Sequence, residues 1–436
     1  MNKLKIFIFS TLVLGSTACE QVLDQLPQTA VVSEIKDAST ARAALNGAYN
    51  GLQSANYIGT RYQLLPDLQS GNLRHTGTFS DFAEIANRSI LTNNTSVTSM
   101  WTQIYTSILR DNFLIKYVPS INESGFTDAA KNQIVAEAKF LRAFNYFNLV
   151  RWWGDVPLVL DPTEQADESL KVSRSSTADV YKQIYADIDA ALPFLPNTNR
   201  GKATKNAALA LKARAALYQK DYAAVVSLCD QIIATGQHSL VPTFSNIFAT
   251  QGTAESIWEL SFETTNSNTL AFFLFSTALG GRNEMRPNTT LVSAYSATDT
   301  RRILTTSYDA QLKYFRINGT DFPVLFRYAE VILNRAEALA ELGRNAEALT
   351  ALNLIRNRAG IGDADASLAT NPTALKTEIF TQRRLELALE GHYFFDLVRT
   401  GRAATTLTNW ASTQALLPIP QRERDSNPKL TQNPGY

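Results

Sequence analysis

Residues able to do covalent or proton-transfer chemistry are scarce here, with two cysteines and three histidines in 436 residues. Cys19 stands out by its surroundings: Lys3, Lys5, a short apolar run from Ile6 to Leu14, then Gly15-Ser16-Thr17-Ala18 directly before it. A basic start, an apolar run too short to span a bilayer and a small-residue end make a secretory signal. Small residues immediately ahead of a cysteine point to bacterial lipoprotein processing, in which residues 1–18 are removed and the Cys19 thiol becomes a lipid thioether. Several acyl chains, at about 0.8 kcal/mol per buried CH2, make such an anchor effectively permanent. The bland alternative is a plain secretory signal with Cys19 incidental. His75, His238 and His392 fall in no His-Glu-x-x-His or Cys-x-x-Cys arrangement, and the chain has no glycine-rich phosphate loop or Gly-x-Ser-x-Gly elbow. His392, beside Glu390 and Asp396, reads as a hydrogen-bonded histidine at a helix end rather than part of a triad. Among 40 acidic residues some pair will always reach glycosidase spacing, so that signal discriminates nothing. No ordered Asp-x-Asp calcium loop occurs either. No catalytic residue, metal or cofactor is expected.

Charge narrows the partners. The chain has 41 basic and 40 acidic residues, and loss of Lys3 and Lys5 with the signal leaves 39 against 40. Nucleic acid demands a concentrated basic surface, which this balance does not supply. With Cys19 lipidated, Cys229 is a lone thiol, so stability must come from packing. A chain 45% hydrophobic and 10% aromatic has the material for a large core. Beyond residue 18 no apolar run reaches the roughly 18 residues of a membrane span.

The elements that must position any site are mostly helical. Residues 19–35, with Pro27 among polar residues, read as an extended tether. Apolar residues at three-and-four spacing predict helices over 41–52 and 99–116, the latter with Trp101, Ile104, Tyr105, Ile108 and Leu109 on one face. Between them, 58–98 is rich in Gly, Asn, Ser and Thr and reads as mainly loop. A long amphipathic helix is predicted over 128–153, stopped by Gly154 and Pro157, and another over 177–192 with Ser176 or Thr177 as its cap. Two helix pairs share one grammar: 206–219 with 222–234, and 325–341 with 345–358. Small residues, Ala213 with Ala223 and Ala336 with Ala346, are expected to face the partner helix in each pair. That is the tetratricopeptide pattern, here a broken array, with ordinary helical hairpins as the alternative. Residues 236–324 read as an irregular insertion of short helices or strands, 373–399 as one helix, and the proline-rich terminus as a strap on the body.

Three segments carry a resemblance. They are CEQVLDQLPQ from Cys19, EAKFLRAFNYFNLVRWWGDVPLV from Glu137 to Val159, and RRLELALEGHYFFDLVRTGR from Arg383 to Arg402 followed by LLPIPQRERDSNPKLTQNPGY to Tyr436. Their order and spacing resemble the SusD/RagB family over essentially the whole mature chain. The resemblance implies a mainly α fold: tetratricopeptide-like helical hairpins in an α-α superhelix with irregular loop insertions. It implies a domain over 36–436, with an N-terminal part to about 235 and a C-terminal part from about 236. It further implies a nutrient-binding lipoprotein on the outer face of an outer membrane, capping a SusC-like TonB-dependent transporter and delivering a glycan or peptide without chemistry. Glu20, directly after Cys19, agrees with the acidic residues that mark surface export in such lipoproteins.

The signature residues themselves read as scaffold. Arg142, Tyr146 and Phe147 share a helix with aromatics spread too widely for one binding face, and Trp152 and Trp153 close that helix. Ligand contacts are expected from loops, where geometry varies without damage to the helices. One set is Asn72, Arg74, His75, Phe79, Phe82, Arg88 and Asn93, at the place where sugar-binding relatives present contacts; a second is Phe272, Phe273, Arg282, Asn283 and Tyr295. Planar aromatics stack on a sugar ring while Arg and Asn bridge adjacent hydroxyls. For each residue taken singly, solvated loop or local packing is the competing reading. The function expected is oligosaccharide binding. Peptide uptake, a repeat scaffold for envelope assembly and a surface glycoside hydrolase are its rivals.

Overall fold

The computed structural model describes residues 35–164, 168–199, 201–306 and 312–436. The signal, Cys19 and the tether up to residue 34 lie outside these. Helix α1 (Ala38–Leu52) starts at Asp37, whose carboxylate accepts from Thr40 N while the Thr40 hydroxyl accepts from Asp37 N. Asn94 caps α4 (Thr95–Tyr117) and Thr127 caps α5 (Asp128–Trp153), each by accepting from the N–H three residues on. Gly154, at φ 70°, ends α5 in a conformation that a side chain would oppose.

Helix α5 is the axis of the N-terminal layer, packed between α4 and α6 (Thr177–Ala191) and against α1. Every residue from Phe140 to Trp153 is buried, so its amphipathic character is confined to the first turns and the rest is enclosed all round. Its polar side chains are matched accordingly. Arg142 grips Asp187 of α6 through two hydrogen bonds of 2.8 and 2.7 Å, and Tyr146 donates to Val159 O at 2.8 Å. Trp152 and Trp153 are buried, the latter donating to Pro418 O at 3.0 Å.

Both helical hairpins form, the second starting three residues later than expected: α7 (Lys205–Tyr218) with α8 (Tyr222–Ala234), and α13 (Tyr328–Glu341) with α14 (Asn345–Arg358). They stack directly, α13 lying on both α7 and α8, with α15 (Pro372–Leu387) against α13 and α14. Arg214 of α7 and Glu330 of α13 join the hairpins as a buried pair. Ala213 and Ala336 are buried, but Ala223 and Ala346 are exposed; the second helices turn Val225 and Val226, or Ala348 and Ala351, inward instead.

Other expectations are corrected. Residues 58–98 hold α2 (Arg61–Gln69), strand β1 (Leu73–His75) and α3 (Ser80–Asn87). The Gly and Asn content marked the joints of short elements, not their absence. Residues 236–324, by contrast, hold the short helices and strands expected of them: α9 (Asn246–Ala249), β2 (Ser256–Glu259), α10 (Leu270–Leu274), β3 (Met285–Pro287), α11 (Thr289–Val292) and α12 (Arg302–Thr306). Residues 324–327 are not helix but β4 (Val324–Arg327), antiparallel to β2. The predicted 373–399 helix breaks after Leu387, resuming as α16 (Tyr393–Arg399), because Leu389 and Gly391 take φ 66° and 81°. A Cβ on Gly391 would overlap Tyr62 O, so the backbone itself fills that space.

The chain then passes α17 (Ala403–Thr406) and α18 (Gln421–Ser426). Its last segment straps the body, with Leu417, Ile419 and Leu430 buried and Leu417 N donating to Trp152 O at 2.8 Å. Ion pairs fix the insertion to the C-terminal helices. Arg327 bonds Glu255, Glu386 and Glu390; Lys313 bonds Glu390; Arg301 bonds Asp299 and Glu386; Arg358 bonds Glu255 and Glu386. Burial pushes the Glu386 carboxyl upward, but Arg358, Arg327 and Arg301 overwhelm it and hold the group far below the usual carboxylate range. No helix of the described residues is long and apolar enough to cross a membrane.

Candidate functional site

Strand β1 pairs antiparallel with β3, matching Leu73 with Pro287, Arg74 with Arg286 and His75 with Met285. This ladder joins the two loop sets that lie some 200 residues apart in sequence. Beyond it, Thr76 N donates to Glu284 O at 2.8 Å, and the 76–79 loop leads into α3 with Phe79 at its start and Phe82 one turn in. From the other side α10 brings Phe272 and Phe273, and the chain folds back so that Arg282 N reaches Phe272 O at 2.7 Å and Glu284 N reaches Phe273 O at 2.9 Å.

Four rings meet there. Centroids lie 5.6 Å apart for Phe79 and Phe82, 5.9 Å for Phe79 and Phe273, 5.3 Å for Phe82 and Phe273, and 5.5 Å for Phe272 and Phe273. The pairs are tilted or edge-on, the favoured arrangements, each adding about 0.5–1.5 kcal/mol beyond burial. Phe82 is the buried foot, Phe79 and Phe273 are half-buried, and Phe272 is 36% exposed. The Arg282 guanidinium sits 4.2 Å from the Phe79 centroid, and its Nε donates to Glu284 Oε1 at 2.9 Å. Glu284 was not singled out in the sequence, although its place between Arg282 and Arg286, just after Gly280-Gly281, marks a charged turn. Burial pushes its carboxyl up, but the N–H groups of Phe79 and Thr78 and the side chains of Arg282 and His75 hold it below its ordinary value.

Of the expected contacts, Phe79, Phe82, Phe272, Phe273, Arg282 and His75 come together, with Arg74 exposed on the adjoining strand. Asn72 does not join them: it is buried, donating to Asp67 Oδ1 at 2.7 Å and accepting from Arg384 Nε at 2.8 Å, which fastens α2 to α15. Tyr295 is likewise buried and donates to Leu385 O at 2.7 Å. Arg88 ends α3 at φ 57° and spends its guanidinium on the carbonyls of Gln69 and Thr408. Asn93 is exposed in the turn before α4, and no ring contact involves it. Asn283, at φ 58°, makes the turn and accepts from Arg286 Nε. In Asn72, Tyr295, Arg88 and Asn283 a polar side chain serves the fold.

Two other places have the outward form of a site. A concavity of about 410 Å3 between α4 and the C-terminal segment is lined by Trp101, Tyr105, Leu109, Val172, Glu423 and Leu430. Its walls are mainly apolar, and its amides are already used, Asn112 on Val159 O and Asn427 on Val172 O, leaving a polar ligand little to bind. His392 is buried at the start of α16, with Nδ1 lacking a partner among the described residues. Burial, then Arg214, Arg383, Arg151 and Arg327, drive its pKa well down, so it stays neutral and out of reach of solvent. No group of three or more His, Cys, Asp or Glu among the described residues is placed to hold a metal.

Comparison with known proteins bears on the fold and the family. Residues 279–414 match a family model described as the SusD family, and 21–217 match one described as starch-binding associating with outer membrane. SusD-like protein P25 of Formosa agariphila is 24% identical over 526 aligned positions, covering 99% of each chain. Surface glycan-binding protein A from Bacteroides fluxus superposes with a TM-score of 0.78 at 25% identity, covering 92% of this chain and all of that one. The corresponding protein from Bacteroides thetaiotaomicron, solved with laminarihexaose, gives 0.77 at 22% identity over 91% and 99% of the two chains. The two matched regions take in both the α5 signature and the RRLELALEGHYFFDLVRTGR segment, and the chain belongs to the SusD family.

Proposed function

We propose that this protein is a cell-surface, lipid-anchored outer-membrane lipoprotein that binds oligosaccharides at the phenylalanine shelf and hands them to a SusC-like TonB-dependent transporter. The observation that carries the reading is the meeting of Phe79, Phe272 and Phe273 with Arg282 at the surface, ring faces and hydrogen-bond donors side by side. Sugars need that pairing: apolar C–H faces stack on rings while hydroxyls take directed hydrogen bonds. The starch-binding description of the matched family and the laminarihexaose bound by a structural neighbour support a glycan over a peptide. Cys19 would hold the body to the membrane through its lipid, and the stacked hairpins would offer the transporter a rigid face. The protein captures ligand and performs no chemistry on it.

Exposed contacts of this kind, after ordering costs, correspond to dissociation constants from micromolar to millimolar, about −8 to −4 kcal/mol. Electrophoresis through gels containing laminarin or starch tests the reading. Retardation of the wild type is expected, weakened about 2- to 10-fold in Phe272→Ala or Phe79→Ala, the worth of one aromatic contact. Free migration across a broad glycan panel, with peptides bound instead, would sink it. In cell fractions, Cys19→Ala should shift the protein out of the outer membrane, and the wild type should co-purify with a β-barrel.

A further inference from the structure

The Glu284 side chain is about 1% exposed, and its partners are Arg282 and His75 rather than the cluster around Glu386. Its Oε2 accepts from Thr78 N at 3.0 Å and Phe79 N at 3.1 Å, its Oε1 accepts from Arg282 Nε at 2.9 Å, and His75 Nε2 lies 3.3 Å from Oε2. Three segments therefore meet on one carboxylate: β1, the 76–79 loop, and the return after α10. Gly77 belongs to the same device, because a Cβ there would overlap the Glu284 carboxyl group and push it off the Thr78 and Phe79 amides. Burying a carboxylate is costly unless hydrogen bonds replace its water, and an apolar side chain would cover the spot without that cost. What the charge adds is direction. All of its bonds run to residues that carry or flank the shelf, and none to the helical scaffold.

We propose that Glu284 is the positioning residue of the glycan shelf: its carboxylate clamps the Phe79 backbone and the Arg282 guanidinium in the arrangement that a sugar ring meets. The clamp works by preordering, since a ring and a cation already fixed in place lose little further freedom on binding. Arg282 is drawn over Phe79 at one end while Nη2 also reaches Thr78 Oγ1 at 3.3 Å, so the cation and the loop are tied twice. The assignment of a purpose to this clamp rests on reading the shelf as the glycan site, but the clamp itself can be observed without any glycan.

Amide hydrogen exchange of the full chain, read on peptides covering 76–84, compares wild type with Glu284→Gln and with Gly77→Ala. Glutamine keeps the size but cannot accept from all four donors at once, and the alanine methyl displaces the carboxylate. Both variants are expected to exchange about 10-fold faster at Thr78 and Phe79, with protection in α5 and α13 unchanged. Unchanged exchange at 76–84, or loss spread through the helices as for an ordinary structural residue, would overturn the proposal. Laminarin and starch gels run on the same samples keep the two questions apart. Retardation of the wild type that survives intact in Glu284→Gln also defeats the positioning assignment, whereas a wild type that neither polysaccharide retards, nor any glycan of the panel, defeats the shelf reading and leaves the exchange result to judge the clamp.

Discussion

At the scale of single residues, the site depends on how polar side chains are satisfied. Asn72, Arg88 and Tyr295 have the composition of binding residues, yet each spends its hydrogen bonds on a carbonyl or carboxylate of the fold. Glu284 does the reverse, spending a buried charge on the loop that carries Phe79. Its carboxyl is held below its ordinary value, so it binds fewer protons when the loop is folded than when it is released. Such a group stabilises the loop fully above the unfolded value, near pH 4.3, and loses that contribution as pH falls through the lower folded value. Arg282 and His75 are the charged or titratable side chains bonded to it. Exchange protection at Thr78 and Phe79 should therefore be flat from pH 8 to about 5, once corrected for the intrinsic rate, and decline below about 4. In Glu284→Gln that acid step should vanish.

At the scale of elements, two devices hold the irregular insertion in place. One is the β1–β3 ladder, only three pairs long and too short to be stable alone. The other is the ionic cluster in which Arg327, at the end of β4, meets Glu255, Glu386 and Glu390. A buried pair gives little net stability over apolar packing, but removing one partner strands the others. Arg327→Met should cost about 3–5 kcal/mol in urea denaturation, the penalty for leaving carboxylates buried without their cation. Arg335 and Asp230, a partly exposed pair linking α13 to α8, provide the contrast, and Arg335→Met should cost no more than about 1 kcal/mol. Equal losses at both positions would show that the cluster is not what fastens the insertion.

At the scale of the whole molecule, residues 35–436 form one compact unit closed by their own C-terminal end. Leu417, Ile419 and Leu430 are buried, and the strap bonds the Trp152 and Trp153 turn where α5 stops. Burying one such side chain is worth about 1.5–3 kcal/mol, so three together rival the total stability of a typical domain. A chain ending at Ala415 should be destabilised by at least about 5 kcal/mol, seen as a large fall in melting temperature or failure to fold. A melting temperature within about 2 °C of the full chain would mean that the strap is ornamental.

The helical scaffold was legible because it is local. The Ser176 cap, the Gly154 stop and three-and-four apolar spacing fix α5, α6, α8 and α14 within a residue or two of their expected ends. The same grammar disclosed the two hairpins, and the residues of both aromatic sets were in view. What local pattern could not supply was the pairing of Leu73–His75 with Met285–Pro287, because such short strands carry no period and their partners are some 200 residues away. Nor could it show that α5 is enclosed on every side, or that residues 388–392 break a helix so that Tyr62 O can approach Gly391. Which phenylalanines form a shelf, and which polar neighbours are consumed by the core, depended on contacts between distant segments. Only the folded chain brings those segments within a few ångströms, where ring contacts and hydrogen bonds act.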